Sequence, residues 1–139
     1  MSEANKAVVR KVREEGYRAG CLHMLDGSYA RDFVYHGPAM TETQHGLAAL
    51  KEMLEPFLEA LPDFGETILQ QIAEGDMVAS RIEGSGTHLG PLLGVAPTGQ
   101  RITWTAMSFC HFDQGRIAEE WVEFDGLNVL QQLGAIDGP

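Results

Sequence analysis

The chain has 139 residues, 44% of them hydrophobic and 22% charged, a size and balance that fit one folded domain able to bury a core without staples. A formal charge of −10 would repel a phosphate backbone, and the short basic run from Arg10 to Arg13 does not offset it, so nucleic-acid binding is not expected. Cys21 and Cys110 are too few and too far apart for a disulfide framework or a zinc pair. No stretch nears the roughly 20 apolar residues of a membrane span, and the N-terminus carries no apolar run of signal-peptide length, so a cytoplasmic protein is expected.

In chain order, Ser2 can cap a first helix whose apolar positions Val8, Val9 and Val12 share a face, with Gly16 and Gly20 as weak points near its end. A short helical piece, CLHMLDGSYA, follows. RDFVYHGP then reads as a strand ended by Gly37-Pro38. The clearest helix runs from Gly46 to Leu61, where Leu47, Leu50, Leu54, Phe57, Leu58 and Leu61 recur at three- and four-residue steps. Pro56 inside it should kink it.

After Pro62 the period changes. ETILQQIA, MVASRIEGSGTH, RITWTAMSFCHF and RIAEEWVEF are extended runs that suggest an antiparallel meander. The connection LGPLLGVAPTGQ is turn-rich, and its GVAPTG lacks the Gly-Lys-Ser/Thr of a phosphate-binding loop. LNVLQQLG closes the chain as a helix, with Gly134 placed for a left-handed C-cap. Helices first and a curved sheet second make a single α+β domain over residues 1–139.

The hairpin SFCHFDQGRIAEEWVEFD carries the functional signal. With Gln114 and Gly115 as a two-residue loop, His111 would oppose Ala118 and lie on the other face from Glu119, Trp121, Glu123 and Asp125. With Asp113, Gln114 and Gly115 as a three-residue loop, Phe112 pairs with Arg116. Thr105, Met107, Phe109 and His111 then share a face with Ile117, Glu119, Trp121, Glu123 and Asp125. Gly115 suits the left-handed position of that loop, so the second register is preferred. The opposite face, with Trp104, Cys110, Phe112, Val122 and Phe124, is the more apolar. With the polar-tipped face lining a cavity, the apolar one needs a cover, and a homodimer through this outer sheet face is expected.

Several stretches together carry a family resemblance: DFVYHGP, HGLAALKEMLEPFLEALPDF, EGDMVASRIEGSGTHLGPLLGVAPTGQRI, FDQGRIAEEW and FDGLNVLQQLG. Over nearly its whole length the chain resembles the SnoaL-like polyketide cyclases of the nuclear transport factor 2-like superfamily. The resemblance implies a cone-shaped α+β barrel, a curved antiparallel sheet wrapped around helices, with a deep pocket for a hydrophobic small molecule. It also implies cofactor-free intramolecular aldol closure of a polyketide ester. An aspartate handles protons in that reaction, and a histidine fourteen positions earlier holds the oxygen where charge develops. Those positions are Asp125 and His111 here. Two positions before the histidine a polar residue is expected, and this sequence departs with Phe109.

Proton removal beside a carbonyl needs a base near the carbon and a donor near the oxygen in a dry pocket. A carboxylate among Trp121, Phe109 and Met107 would lose solvation and gain proton affinity. Tyr17, His36, His88, Met107, Phe109, Trp121 and Glu123 are the expected substrate contacts. Asp125 also stands directly before the last helix and could cap it instead. No two histidines have metal-ligand spacing, so neither metal nor cofactor is expected. Beside the cyclase or isomerase reading stand two others: hydrolysis in the same pocket, and binding of a hydrophobic small molecule without turnover.

Overall fold

The computed structural model describes residues 2–38 and 42–137. Helix α1 (Ser2–Lys11) turns Asn5 and Val9 inward and passes into a π-helical turn at Val12–Gly16, where the Tyr17 N–H donates to the Val12 carbonyl at 2.9 Å. The extra residue per turn widens the inward face, so Val12, Arg13, Gly16 and Tyr17 are all buried. The expected second helical piece is a 3₁₀ turn at Leu22–Leu25. Strand β1 (Tyr29–His36) follows, then the two-residue strand β2 (Gln44–His45) and helix α2 (Leu47–Ala60). Along α2 the buried Leu50, Leu54 and Leu58 form the expected stripe, and the helix is continuous through Pro56, which lies on its exposed side.

Strands β3 (Gly65–Glu74), β4 (Met77–Thr87), β5 (Arg101–Asp113) and β6 (Arg116–Phe124) form the expected antiparallel meander, and helix α3 (Gly126–Gln132) closes the fold. Gly134 adopts φ 76° after α3, with the Ala135 N–H on the Leu130 carbonyl at 3.0 Å and the Gly134 N–H on the Gln131 carbonyl at 3.1 Å. This is the left-handed cap foreseen there. The sheet runs β2-β1-β6-β5-β4-β3, curved and open between edge strands β2 and β3. It is mixed rather than wholly antiparallel, because β1 lies parallel to β6. A strand that precedes the whole meander reaches its far edge through a long crossover, which leaves it running alongside β6. Among the described residues no helix is long and apolar enough to cross a membrane.

The hairpin closes differently from the expected register. Asp113 pairs with Arg116 around a two-residue loop in which Gln114 has φ 50° and Gly115 φ 78°, the pair of positive values that a type I′ turn requires. Phe112 then pairs with Ile117, and the register shifts so that His111 opposes Glu119, leaving Ala118 as the extra residue. This bulge puts His111 on the face of Glu119, Trp121 and Glu123, as expected, whereas Ile117 turns into the core.

The direction of the two faces is the larger correction. Cys110, Phe112 and Val122 are buried against the helices, with Trp104 and Phe124 packed on the same core. Met107, Phe109 and Trp121 point outward, 60%, 55% and 40% exposed. The face expected to form a dimer interface is therefore the interior. The helices cover the more apolar side of the sheet, since burial of that side removes more hydrocarbon from water.

Gly84 shows how closely this interior is fitted. It pairs with Trp104 across β4 and β5, and a Cβ there would fall inside the Trp104 indole, which also packs against Phe64 at 5.4 Å between ring centroids. Gly84→Ala is expected to displace the indole and cost about 1–3 kcal/mol. Urea denaturation followed by tryptophan fluorescence measures both effects.

Candidate functional site

Between the sheet and the helices lies a cavity of about 110 Å³, several times the about 10–15 Å³ that one water needs. Its walls are apolar. Leu54, Phe57 and Leu61 come from α2 and its end, and Ile102, Trp104, Ala106, Val122 and Phe124 from β5 and β6. Leu92 and Leu93 enter from the turn-rich connection, where Leu92 and Val95 exchange backbone hydrogen bonds at 3.0 and 2.8 Å. The polar lining consists of Arg13, Tyr17, Tyr35 and Glu66.

Arg13 stands four residues after Val9, on the inward stripe of the first helix and within its π turn. One terminal nitrogen donates to both Glu66 oxygens at 3.2 and 3.4 Å, and the other to Glu120 at 2.7 Å. Its guanidinium carbon lies 4.5 Å from the centroid of the Tyr17 ring, a cation–π contact. The three charged residues are 3%, 6% and 1% exposed for Arg13, Glu66 and Glu120. Strand alternation explains the two carboxylates: Glu66 lies between the inward-facing Phe64 and Ile68, and Glu120 shares its inward side with Val122.

One guanidinium thus faces two carboxylates in a dry environment. Burial pushes the Glu66 carboxyl above its ordinary range, with Arg13 opposing and Glu120 adding to the rise. Burial alone would lower Arg13, but Glu120 and Glu66 more than offset it and hold the guanidinium charged. The phenols of Tyr17, Tyr29 and Tyr35 are all pushed up, first by burial, and remain protonated donors. Tyr17 and Tyr29 bring their hydroxyls to 3.4 Å from each other. Among the described residues Arg13 Nε and Glu120 Oε1 are buried without a hydrogen-bond partner, a costly condition for polar groups removed from water.

Of the residues expected from sequence, Tyr17 lines this cavity. Asp125 sits at the N-cap of α3, where its Oδ1 accepts from the Asn128 N–H at 3.0 Å. His111 bonds Asp76 at 2.9 Å at the other end of β5. Asp125 meets the ladder at Thr105, six residues from His111, so roughly 20 Å of strand separates the two and the structure does not bring them together. Met107, Phe109, Trp121 and Glu123 lie on the exposed outer face. His36 is half-buried on that side, stacked on Trp121 at 5.2 Å between centroids and bonded to Glu119 at 2.6 Å. The outward placements of Met107, Phe109, Trp121, Glu123 and His36 follow from the reversal of the sheet faces, and the distance between Asp125 and His111 from the register of β6 on β5.

His88 is fully buried but serves the loop above the cavity. Its Nδ1 accepts from the Thr98 N–H at 3.1 Å, and its backbone exchanges hydrogen bonds with Gly99 and Gln100 at 2.8 Å each. Arg13, Glu66 and Tyr35 were missed. The available signal was the polar residue in an apolar pattern: an arginine on a helix stripe and a glutamate on the inward beat of a strand. Among the described residues no group of three or more His, Cys, Asp or Glu side chains is gathered to hold a metal. What the arrangement can do rests on a carboxylate of raised proton affinity, a fixed cation and neutral phenols.

Comparison with known proteins places this geometry in context. The family described as SnoaL-like polyketide cyclase matches residues 7–133. AclR from Streptomyces galilaeus, assigned as a hydroxylase, is 27% identical with a TM-score of 0.84, over 100% of this chain and 86% of that one. IdmH from Streptomyces antibioticus, assigned as a polyketide cyclase, is 27% identical with a TM-score of 0.82, over 94% of this chain and 98% of that one. A SnoaL-like protein from Jannaschia sp. CCS1 shares the fold at 20% identity and a TM-score of 0.87, over 97% and 94% of the two chains. No curated protein sequence matches the chain significantly. The fold is the α+β cone of these neighbours.

The charge count in the cluster makes a stability prediction. Arg13→Met leaves two buried carboxylates without a counter-charge and is expected to cost about 3–5 kcal/mol at neutral pH, whereas Glu66→Gln retains a one-to-one Arg13–Glu120 pair and costs less. Because the folded state holds the Glu66 proton more tightly than the unfolded chain, Glu66 contributes a loss of stability as pH rises from the ordinary glutamate range through its raised value. Urea denaturation across pH should show that decline in the wild type and its absence in Glu66→Gln.

Proposed function

The chain belongs to the SnoaL-like polyketide cyclase family, and on that premise we propose that it is an acid–base enzyme of the cyclase or isomerase kind. Its substrate is a hydrophobic carbonyl or ester compound held in the cavity, with Glu66 as the proton-transferring group. The observation that carries this reading is that Glu66 is a buried carboxylate lining an otherwise largely apolar cavity, with its proton affinity raised. A base works best when its pKa lies near the operating pH, and burial moves Glu66 in that direction.

In this reading the apolar walls orient the hydrocarbon part of the substrate and exclude water, which strengthens each polar contact inside. Ionised Glu66 takes a proton from the carbon beside the carbonyl and returns it later at carbon or oxygen. Negative charge then develops on the carbonyl oxygen, where Tyr35, kept protonated by burial, is a donor in the cavity lining. Arg13 holds Glu66 in one place and keeps the cluster charged while the proton moves. Relatives of equal identity that carry cyclase and hydroxylase assignments are reason to derive the reaction from the site rather than from the fold. The grip of Arg13 on both Glu66 oxygens favours a second reading, a pocket that binds such compounds without turnover.

Carbonyl compounds found to bind by screening should exchange their α-protons for deuterium in the presence of the wild-type protein. Glu66→Gln is expected to slow that exchange by roughly 10²- to 10⁴-fold, and Tyr35→Phe by about 10- to 100-fold. Asp125→Asn, altered at the helix cap, should retain it. Undiminished exchange in Glu66→Gln, or its loss in Asp125→Asn, would return the proton transfer to Asp125. Tight ligands without any exchange would select the binding reading.

A further inference from the structure

The cavity is polarised by depth. Its charged and phenolic lining, Arg13, Tyr17, Tyr35 and Glu66, is buried. The lining residues that reach solvent are Pro38, Met53, Phe57, Leu93, Trp104 and Phe124, all of them apolar or aromatic and half-buried. Polar partners therefore wait at the closed end, and the mouth offers hydrocarbon and aromatic surface. A ligand matched to this arrangement carries its carbonyl at one end and an apolar tail at the other.

The enclosed space is small. An engineered apolar cavity of about 150 Å³ holds one benzene, and the cavity of about 110 Å³ here holds, by that proportion, roughly four or five non-hydrogen atoms. A carbonyl carbon, its oxygen and the two adjoining carbons nearly fill it. The remainder of any larger substrate must lie among the half-buried residues of the mouth. A carbonyl at the end of a chain meets this condition, with only a methyl group on its inner side. A carbonyl built into a fused ring does not, because the ring has to enter beside it.

Trp104 is placed to enforce the difference. Its indole lines the cavity with the Gly84 backbone behind it, where even a Cβ would overlap the ring, and with Phe64 beside it at 5.4 Å between centroids. A wall packed this closely does not retreat before a wider ligand. On the reading that the substrate carbonyl is held in this cavity, we propose that the substrate is a terminal acyl compound of the methyl ketone kind, inserted acyl end first. Trp104 is the specificity-determining residue that excludes carbonyls set within fused rings. Insertion in this direction brings the carbonyl and its neighbouring carbons to the buried end, where Glu66 and Tyr35 line the cavity.

Two ketones that differ by one ring-closing bond test the proposal: benzylacetone, a methyl ketone with an aromatic tail, and β-tetralone, in which that methyl carbon is joined to the ring. Isothermal titration calorimetry on the wild type should show benzylacetone bound roughly tenfold or more tightly than β-tetralone. Trp104→Leu should bring the ratio close to one by tightening β-tetralone, and Trp104→Phe should move it part of the way. In the wild-type complex, nuclear Overhauser effects should run from the ketone methyl to Tyr35 and from the phenyl ring to the Met53 methyl, a readout that needs no variant. A wild-type ratio near one, an unchanged ratio in folded Trp104→Leu, or the reverse pattern of Overhauser effects overturns the proposal. Calorimetry reads binding alone, so missing α-proton exchange would count against the acid–base reading and leave the ratio to decide this one. Failure of both ketones to bind removes the two together.

Discussion

A guanidinium removed from water stays charged only where carboxylates are brought to it, and Arg13 draws two, from an edge strand and an inner strand of the sheet. Glu66 on β3 and Glu120 on β6 are separated by β4 and β5 in the sheet order, so meeting on one side chain requires the sheet to curve around the first helix. The π turn at Val12–Gly16 supplies the other half of the constraint, because its wider turn keeps Val12, Arg13, Gly16 and Tyr17 together on the buried face. The cluster is thus both a brace for the curvature and the polar end of the space the curvature creates. A buried network of this kind contributes specificity of arrangement more securely than net stability.

The same geometry explains why the cavity has a chemical polarity. Apolar residues from α2, β5 and β6 surround the space, while the charges lie with the aromatic rings of Tyr17 and Tyr35. Two carboxylates around one cation leave an excess negative charge that a proton can neutralise, and the weaker bonds of Glu66, at 3.2 and 3.4 Å against 2.7 Å for Glu120, make it the carboxylate freer to exchange that proton. The turn-rich connection from Leu89 to Gln100 completes the enclosure through Leu92 and Leu93, tied down at its base by His88 and Thr98.

Local order was largely legible in the sequence. The leucine stripe of α2, the meander after Pro62 and the left-handed cap at Gly134 each depend on residues close together in the chain. The hairpin was less so, because Gln114 adopts a positive φ that non-glycine residues rarely show, and the bulge at Ala118 restores by another route the grouping of His111 with Glu119. The inward direction of the sheet could not be read from β5 and β6 alone, since both faces carry large apolar groups: Met107, Phe109 and Trp121 on one, Cys110, Phe112 and Val122 on the other. That single reversal put Met107, Phe109, Trp121 and Glu123 outside, whereas the distance between Asp125 and His111 is set by the register of β6 on β5. Arg13 and Glu66 lie 53 residues apart, and no periodicity within either segment names the other as its partner.

The central claim is that Glu66 shares a buried, negatively unbalanced site with Arg13 and Glu120. The most direct measurement is a pH titration of the Glu66 carboxyl by carbon NMR, in the wild type and in Glu120→Gln. The account predicts a wild-type Glu66 that titrates above the ordinary glutamate range and moves downward in Glu120→Gln, where Arg13 is left to Glu66 alone. An ordinary Glu66 that does not respond to the loss of Glu120 would contradict it.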